Sequence, residues 1–190
     1  MSFWANAIGY QIVWFSAVIG AGRGLWWPGV SAAIVFVLLH LALCRQTPAQ
    51  RAVDVRLMLV ALLCGLIMDG GLARSGLADY AADPLALPSS GPPLWILAIW
   101  ASFALTLRHS MTFLLDRPLV ALLLGAIGGP LAYLGAARGW GAIAFAEPRW
   151  MAIVALVVGW AIAIPLLTML ASRWSSSAVA PAAFPAGHPR

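Results

Sequence analysis

Residues 57–73 read LMLVALLCGLIMDGGLA, an apolar run that contains one charged residue, Asp69. About 20 mostly apolar residues cross the hydrocarbon layer of a membrane as a helix. A helix suits this solvent because it satisfies its own backbone hydrogen bonds. Five further apolar blocks cover 4–21, 26–44, 94–115, 119–137 and 150–171. The sequence therefore predicts an all-α fold, a polytopic membrane protein with a bundle of six transmembrane helices.

The composition of the whole chain agrees with a membrane-embedded fold. The chain is 63% hydrophobic and 9% charged, whereas soluble domains contain about 45–50% apolar and about 25% charged residues. Six spans use nearly all of the 190 residues, which leaves no room for a soluble catalytic domain. We predict a six-helix domain over 1–171 and a disordered tail over 172–190, which is rich in Ser, Ala and Pro.

The basic residues, all of them arginines, indicate the orientation of the chain. They stand one to three at a time between the apolar blocks, so we predict no nucleic-acid partner. With six spans, seven of the 11 arginines fall on the side that holds both termini and four on the other side. Because positive charge accumulates on the cytoplasmic side of membrane proteins, we predict that both termini are cytoplasmic.

Polar side chains at membrane depth are costly, so they are the first candidates for function. In this sequence such residues form two groups, one in the half of the membrane nearest the termini and one in the opposite half. The predicted functional polar cluster consists of Asn6, Gln11, His40, Asp69, Arg108, His109, Tyr133 and Arg138.

Asp69 is the only acidic residue inside a predicted span, and it lies about one turn from the end of that span. The favoured interpretation is a buried ion pair, with Arg74 or Arg138, or a hydrogen-bonded cap. A proton or cation site and a side chain that reaches the interface are the alternatives.

His40 and His109 lie at similar depth, where an imidazole can bind metal, move protons or fix a helix contact. We favour interhelical hydrogen bonds with Asn6 or Gln11 over metal or haem. We therefore predict no metal and no cofactor.

Small residues in the predicted fifth helix point to close helix packing. Gly125 and Gly129 form a G-x-x-x-G pattern, which allows two helices to approach closely. Pro130 follows and should kink the helix and free a backbone carbonyl group. The sequence predicts a packing role for Gly125, Gly129 and Pro130, with a cavity near Tyr133 and Asp69.

Several motifs in order resemble an uncharacterised bacterial membrane-protein family, domain of unknown function 2878. The resemblance spans about 6–171 and includes Asp69 at the end of the third helix. Its other residues are Asn6, Gln11, Trp14-Phe15, Pro93-Leu94-Trp95, Trp100, Phe103, Thr106-Leu107, His109-Ser110, Gly128 to Tyr133, Gly135 and Gly141. The resemblance implies a small bacterial inner-membrane protein, and it supplies neither an activity nor a catalytic residue. Members of the family are thought to be encoded near lipid-modifying functions.

Three functions fit these observations. We favour a protein that binds membrane lipids or another membrane protein. A small transporter or channel would use a polar path that includes Asp69, but the two halves show no inverted repeat, because Asp69 has no counterpart in the sixth helix. A membrane-embedded lipid-modifying enzyme is the third possibility. Adjacent His109 and Ser110 diverge on a helix and make a poor catalytic pair.

Overall fold

The computed structural model describes residues 1–44, 46–82 and 91–179. In these ranges the chain forms six helices and two short strands, so the all-α prediction is confirmed, with a small sheet added. The helices are α1 (Phe3–Gly22), α2 (Trp27–Leu43), α3 (Pro48–Arg74), α4 (Leu94–Ala104), α5 (Pro118–Trp140) and α6 (Trp150–Val179). The strands are β1 (Ala78–Tyr80) and β2 (Ile143–Phe145).

Three of these helices are long and apolar enough to cross a membrane. They are α3, α5 and α6, and among the described residues α2 and α4 are shorter apolar helices. The six helices run alternately between two ends of the bundle. We call them the N-terminal end, where the start of α3 meets the end of α6 through Arg108, and the sheet end, where β1 and β2 pair.

Helix α3 begins earlier than the sequence analysis predicts. Residues 45–56 have the polarity of a loop, but Pro48 opens the helix and Thr47 and Gln50 form a reciprocal capping box at its first turn. Because of this earlier start, Asp54 lies inside α3, and it is buried. The N-terminal end of the bundle thereby gains an acidic residue that the predicted spans did not include.

Helix α4 ends sooner than predicted, at Ala104 instead of near Leu115. Thr106 accounts for much of the break: its hydroxyl group donates to the carbonyl oxygen of Phe103 at 2.7 Å, and its own carbonyl accepts from the backbone N–H of His109, Ser110 and Met111. Such local bonds compete with a regular helix. Turns and a short 3-10 helix (Thr112–Leu114) then lead into α5.

The sheet lies in two of the connections between the predicted spans. Strands β1 and β2 pair antiparallel, with Asp79 opposite Ala144. The indole N–H of Trp95, at the start of α4, donates to the carbonyl oxygen of Ala81 at 2.9 Å. This bond holds the sheet over the end of the bundle, and it places Tyr80 in the core. Residues 83–90, in the connection between the third and fourth predicted spans, lie outside the described residues.

Helix α6 continues past its predicted end at Ala171 and runs to Val179. Ser175, Ser176 and Ser177 each donate a hydroxyl hydrogen bond to the carbonyl oxygen one turn earlier, so these polar residues fit into the helix. The first part of the predicted disordered tail is therefore helical, and 180–190 lie outside the described residues.

Candidate functional site

The first polar cluster is centred on Asp69, which is fully buried in α3 near the sheet end. Its carboxyl group accepts hydrogen bonds from the hydroxyl group of Tyr80 and the indole N–H of Trp100, both at 2.8 Å. The hydroxyl group of Tyr133 in α5 is the third donor. The structure thus brings Asp69 and Tyr133 together, whereas Arg138 is exposed.

Strand β1 gives this cluster a phenol that ionises with difficulty. Burial raises the pKa of Tyr80 well above its ordinary value, and the adjacent Asp69 raises the pKa further. Tyr80 therefore remains a hydrogen-bond donor at neutral pH. A phenol held in this state is suited to stabilising a buried carboxyl group, not to acting as a base.

An aromatic cavity of about 190 Å³ adjoins Tyr133. The indole rings of Trp100 and Trp160 stack on one side, with their centroids 4.4 Å apart. Gly128 and Gly129 of α5 contribute surface without side chains. The remaining walls are mostly apolar, and they include Tyr10, Trp14, Phe103, Leu124 and Ile164. This space suits an apolar group rather than a hydrated ion.

The second polar cluster is centred on Asp54 at the N-terminal end, and its exposed fraction is 1%. One carboxyl oxygen, Oδ1, pairs with the guanidinium group of Arg108. The other, Oδ2, lies 3.2 Å from Nε2 of His40, 3.3 Å from Nε2 of His109 and 2.8 Å from the amide nitrogen of Gln46. Two helices and the segment after α4 therefore meet at one carboxyl group.

Asn6 links α1 to this second cluster. Its amide nitrogen donates to the carbonyl oxygen of Leu105 at 3.2 Å and lies 3.5 Å from Nδ1 of His40. Its amide oxygen accepts from the hydroxyl group of Ser110 at 2.6 Å. His109 and Ser110 thus take different partners, as their adjacency in sequence suggests. Gln11 is exposed on α1, away from this network.

The Asp54 cluster contains residue types that bind transition metals. The ligand atoms of His40, Cys44 and His109 all lie within 4.8 Å of one another. Cys44 stands one helical turn after His40 in α2, and its sulfur lies 3.8 Å from that imidazole. His40 and Cys44 are buried, and His109 is partly exposed.

A large open groove follows α1 along its length and has a volume of about 790 Å³. Apolar side chains of α1 form its floor, among them Ile8, Ile12, Phe15 and Ile19. Arg23 stands at the sheet end of the groove. The segment after α4 forms a wall near the N-terminal end, through Thr106, Ser110, Met111 and Phe113, and Gln11 also lines the groove.

The structure divides the predicted polar residues between separate places. Asp69 and Tyr133 share one cluster, while Asn6, His40, Arg108 and His109 surround the other; Gln11 lines the groove. Sequence reasoning missed Asp54, Gln46 and Cys44 at the second cluster and Tyr80 and Trp100 at the first. The capping box at Thr47 and Gln50 was the available signal for Asp54, because it sets the start of α3.

A family model described as a protein of unknown function (DUF2878) matches residues 3–166. The chain belongs to this family. Both carboxyl groups and every α1 residue that lines the groove lie inside the matched region of this DUF2878 protein. No curated protein and no solved structure matches the chain.

Proposed function

We propose that this DUF2878 protein crosses the bacterial inner membrane six times and binds a membrane lipid in the groove along α1. The groove carries the proposal. Its floor is apolar, it is open at the outer surface of the bundle, and Arg23 stands at one end. A phospholipid has matching parts, since its acyl chain is apolar and its phosphate group is negative.

Large exposed hydrophobic side chains support the membrane location. They lie on several helices and include Ile12, Leu38, Leu131 and Ile162, each about 60% exposed. Contiguous apolar surface on this scale is rare on water-soluble monomers. The short α4 is compatible with a membrane because the irregular segment after it is largely buried in protein, which is the condition for non-helical backbone at membrane depth.

The dimensions of α1 also suit a lipid. A helix of 20 residues is about 30 Å long, close to the thickness of the hydrocarbon layer. With both termini in the cytoplasm, Arg23 would lie at the outer surface and contact the headgroup of an outer-leaflet lipid. The acyl chain would then run along Ile19, Phe15 and Ile12 toward the middle of the membrane.

Crosslinking of a photoactivatable phospholipid tests the groove. The purified protein is placed in phosphatidylethanolamine–phosphatidylglycerol nanodiscs that contain a phospholipid with a diazirine on its acyl chain, and labelled peptides are identified by mass spectrometry. We expect labelling on α1. Ile12→Trp, which fills the groove, and Arg23→Gln, which removes the charge, should each lower it several-fold.

Matched controls come from equally exposed positions outside the groove. Ile162→Trp adds the same bulk to α6 at an exposure of 62%, compared with 58% for Ile12. Arg138→Gln removes an exposed arginine from the same end of the bundle. Labelling that is unchanged in all four variants, or spread evenly over every exposed helix, would contradict a lipid site at α1.

A transporter or channel is less well supported, because the two carboxyl groups do not form one path. Asp54 and Asp69 are about 22 Å apart along α3 at 1.5 Å per residue. Between them, the buried positions Leu57, Ala61 and Gly65 are apolar. Binding of another membrane protein at the same groove is the alternative occupant, and it would appear as a protein–protein crosslink in place of the lipid adduct.

A further inference from the structure

Nitrogen, oxygen and sulfur atoms that can bind a metal ion converge around Asp54. Three nitrogen atoms, of His40, Gln46 and His109, lie within 3.3 Å of the single oxygen Oδ2. With Arg108 at Oδ1, these four partners match the roughly four lone-pair sites of a carboxylate. Nε2 of His109 also lies 3.3 Å from the Gln46 amide nitrogen. Two imidazole nitrogens therefore converge on one carboxylate oxygen, and the sulfur of Cys44 lies next to one of the two rings.

The distances from Oδ2 of Asp54 to the two imidazoles are close to those between ligands of a tetrahedral metal. Bonds of about 2.0–2.1 Å from zinc to nitrogen or oxygen give ligand–ligand distances of about 3.3–3.4 Å, and a sulfur at about 2.3 Å lies about 3.6 Å from a nitrogen ligand. Oδ2 of Asp54 is 3.2 Å and 3.3 Å from the two imidazole nitrogens. Sγ of Cys44 is 3.8 Å from both Nδ1 and Nε2 of His40, so the thiol lies beside the ring and would turn toward Nε2 on binding an ion.

We propose that His40, Cys44, Asp54 and His109 bind a four-coordinate divalent transition metal ion of the Zn²⁺ class. Imidazole and thiolate ligands favour such ions over Mg²⁺ and Ca²⁺, which prefer oxygen ligands. On binding, the Cys44 thiol releases its proton to solvent, and both imidazoles coordinate as neutral rings through Nε2.

The neighbouring residues support these four ligands. Arg108 holds Oδ1 of Asp54, so the carboxyl group is oriented with Oδ2 toward the two imidazoles. His40 and Cys44 are at i and i+4 of α2 and lie on the same face. The His109 side chain is 15% exposed, which gives an ion a way in from the N-terminal end.

Four protein ligands make a closed site, which is typical of structural rather than catalytic zinc. Here the ion would join α2, α3 and the segment after α4. That segment forms a wall of the α1 groove. The metal would fix its shape, and the site does not depend on what the groove binds.

Cobalt(II) provides the test, because its visible spectrum reports coordination number and sulfur ligation. The full chain, purified in detergent and stripped with a chelator, is titrated with Co²⁺ alone. Every protein carries His188→Ala, which removes the one histidine outside the proposed set. We expect one Co²⁺ per chain, intense d–d bands of a tetrahedral ion, a thiolate-to-cobalt charge-transfer band and displacement by Zn²⁺.

Variants separate the proposed ligands from other residues. Cys44→Ser should abolish the charge-transfer band and weaken binding at least about tenfold, while Cys64→Ser, in the middle of α3, should leave both unchanged. Asp54→Asn and His40→Ala should lower affinity by about 100-fold or more. Gel filtration and circular dichroism of each metal-free variant establish that it is folded.

The proposal is overturned if the folded protein binds no Co²⁺ or Zn²⁺ at micromolar concentration. It is also overturned if Cys44→Ser keeps the charge-transfer band, or if the bound ion is octahedral. If the His40→Ala variant does not fold, the spectrum of the Cys44→Ser variant still tests whether the thiolate binds the metal. If the protein binds no metal but lipid labelling of α1 is as expected, the metal site is refuted and the proposed lipid site is not.

Discussion

At the scale of single residues, Asp69 shows how this fold accommodates an acidic side chain in an apolar core. Its carboxyl group receives three hydrogen bonds from neutral donors on a strand and two helices. A buried polar group costs little when it is fully hydrogen-bonded and costs about 1–3 kcal/mol for each bond left unmade. The three donors therefore make Asp69 a point that joins α3, α4, α5 and β1.

The first residue-scale prediction concerns Tyr80. Tyr80→Phe removes one donor to Asp69 while keeping the ring, so we expect the free energy of unfolding to fall by about 1–3 kcal/mol. Unfolding in mixed micelles with increasing sodium dodecyl sulfate measures the change. Tyr10→Phe is the matched control, because Tyr10 packs against Phe103 rather than bonding to Asp69. Equal stability of the wild-type protein and Tyr80→Phe would show that this bond contributes nothing.

The sequence predicted the two members of the Asp69 cluster that lie inside clear apolar blocks. Asp69 and Tyr133 stood out because each is polar within a predicted span. Tyr80 did not, since it lies in a stretch with the composition of a loop, and only the pairing of β1 with β2 turns it inward. Of the interpretations of Asp69, the hydrogen-bonded one agrees with its phenol and indole donors, and Arg138 is exposed.

At the scale of helices, close crossings depend on glycine. A Cβ atom at Gly125 would collide with the backbone carbonyl oxygen of Trp160, and one at Gly129 would collide with the Trp160 ring. A Cβ at Gly128, on another side of α5, would meet only a leucine of its own helix at 3.6 Å. The G-x-x-x-G pair therefore faces α6, and α5 continues through Pro130 to Trp140.

This difference gives the second prediction. Gly125→Ala should separate α5 from α6, because backbone cannot move aside as a side chain can, and we expect a loss of about 1–3 kcal/mol from overpacking. Gly128→Ala should be neutral or gain up to about 1 kcal/mol, since alanine favours a helix over glycine. Thermal unfolding in detergent compares the two variants. The same melting temperature for both would rule out a close α5–α6 crossing at Gly125.

Helix ends were harder to predict than helix positions. The apolar runs located all six helices, but α3 begins within a polar stretch, and α4 ends within an apolar one. In the first case a capping box outweighs the charged residues that follow it. In the second, Thr106 and the tertiary contacts of His109 and Ser110 end a helix that hydrophobicity alone would continue. The Asp54 cluster depends on both ends, so it could not be assembled from the sequence.

At the scale of the molecule, the two polar clusters lie at opposite ends of the bundle, with the aromatic cavity and the apolar middle of α3 between them. The Asp69 cluster holds the sheet end together through hydrogen bonds to neutral donors. The Asp54 cluster brings together α2, α3 and the segment after α4, and Asn6 connects it to α1. The α1 groove passes the second cluster on its way along the bundle. Each end is therefore fixed independently, and the groove along α1 is the place where we propose that a lipid binds.

The last prediction tests how the whole chain crosses the membrane. In a Cys44→Ser, Cys64→Ser background, single cysteines are placed at exposed positions of opposite ends, with Ala49→Cys and Asp116→Cys at the N-terminal end and Ser75→Cys and Gly139→Cys at the sheet end. If six helices cross and both termini are cytoplasmic, a membrane-impermeant maleimide should label only the sheet-end cysteines in spheroplasts. The other two should react only after the membrane is permeabilised. Labelling of Ala49→Cys and Asp116→Cys in place of the sheet-end pair would show that the orientation is the reverse of the one proposed, and unequal labelling of two cysteines at the same end would show that at least one helix does not span.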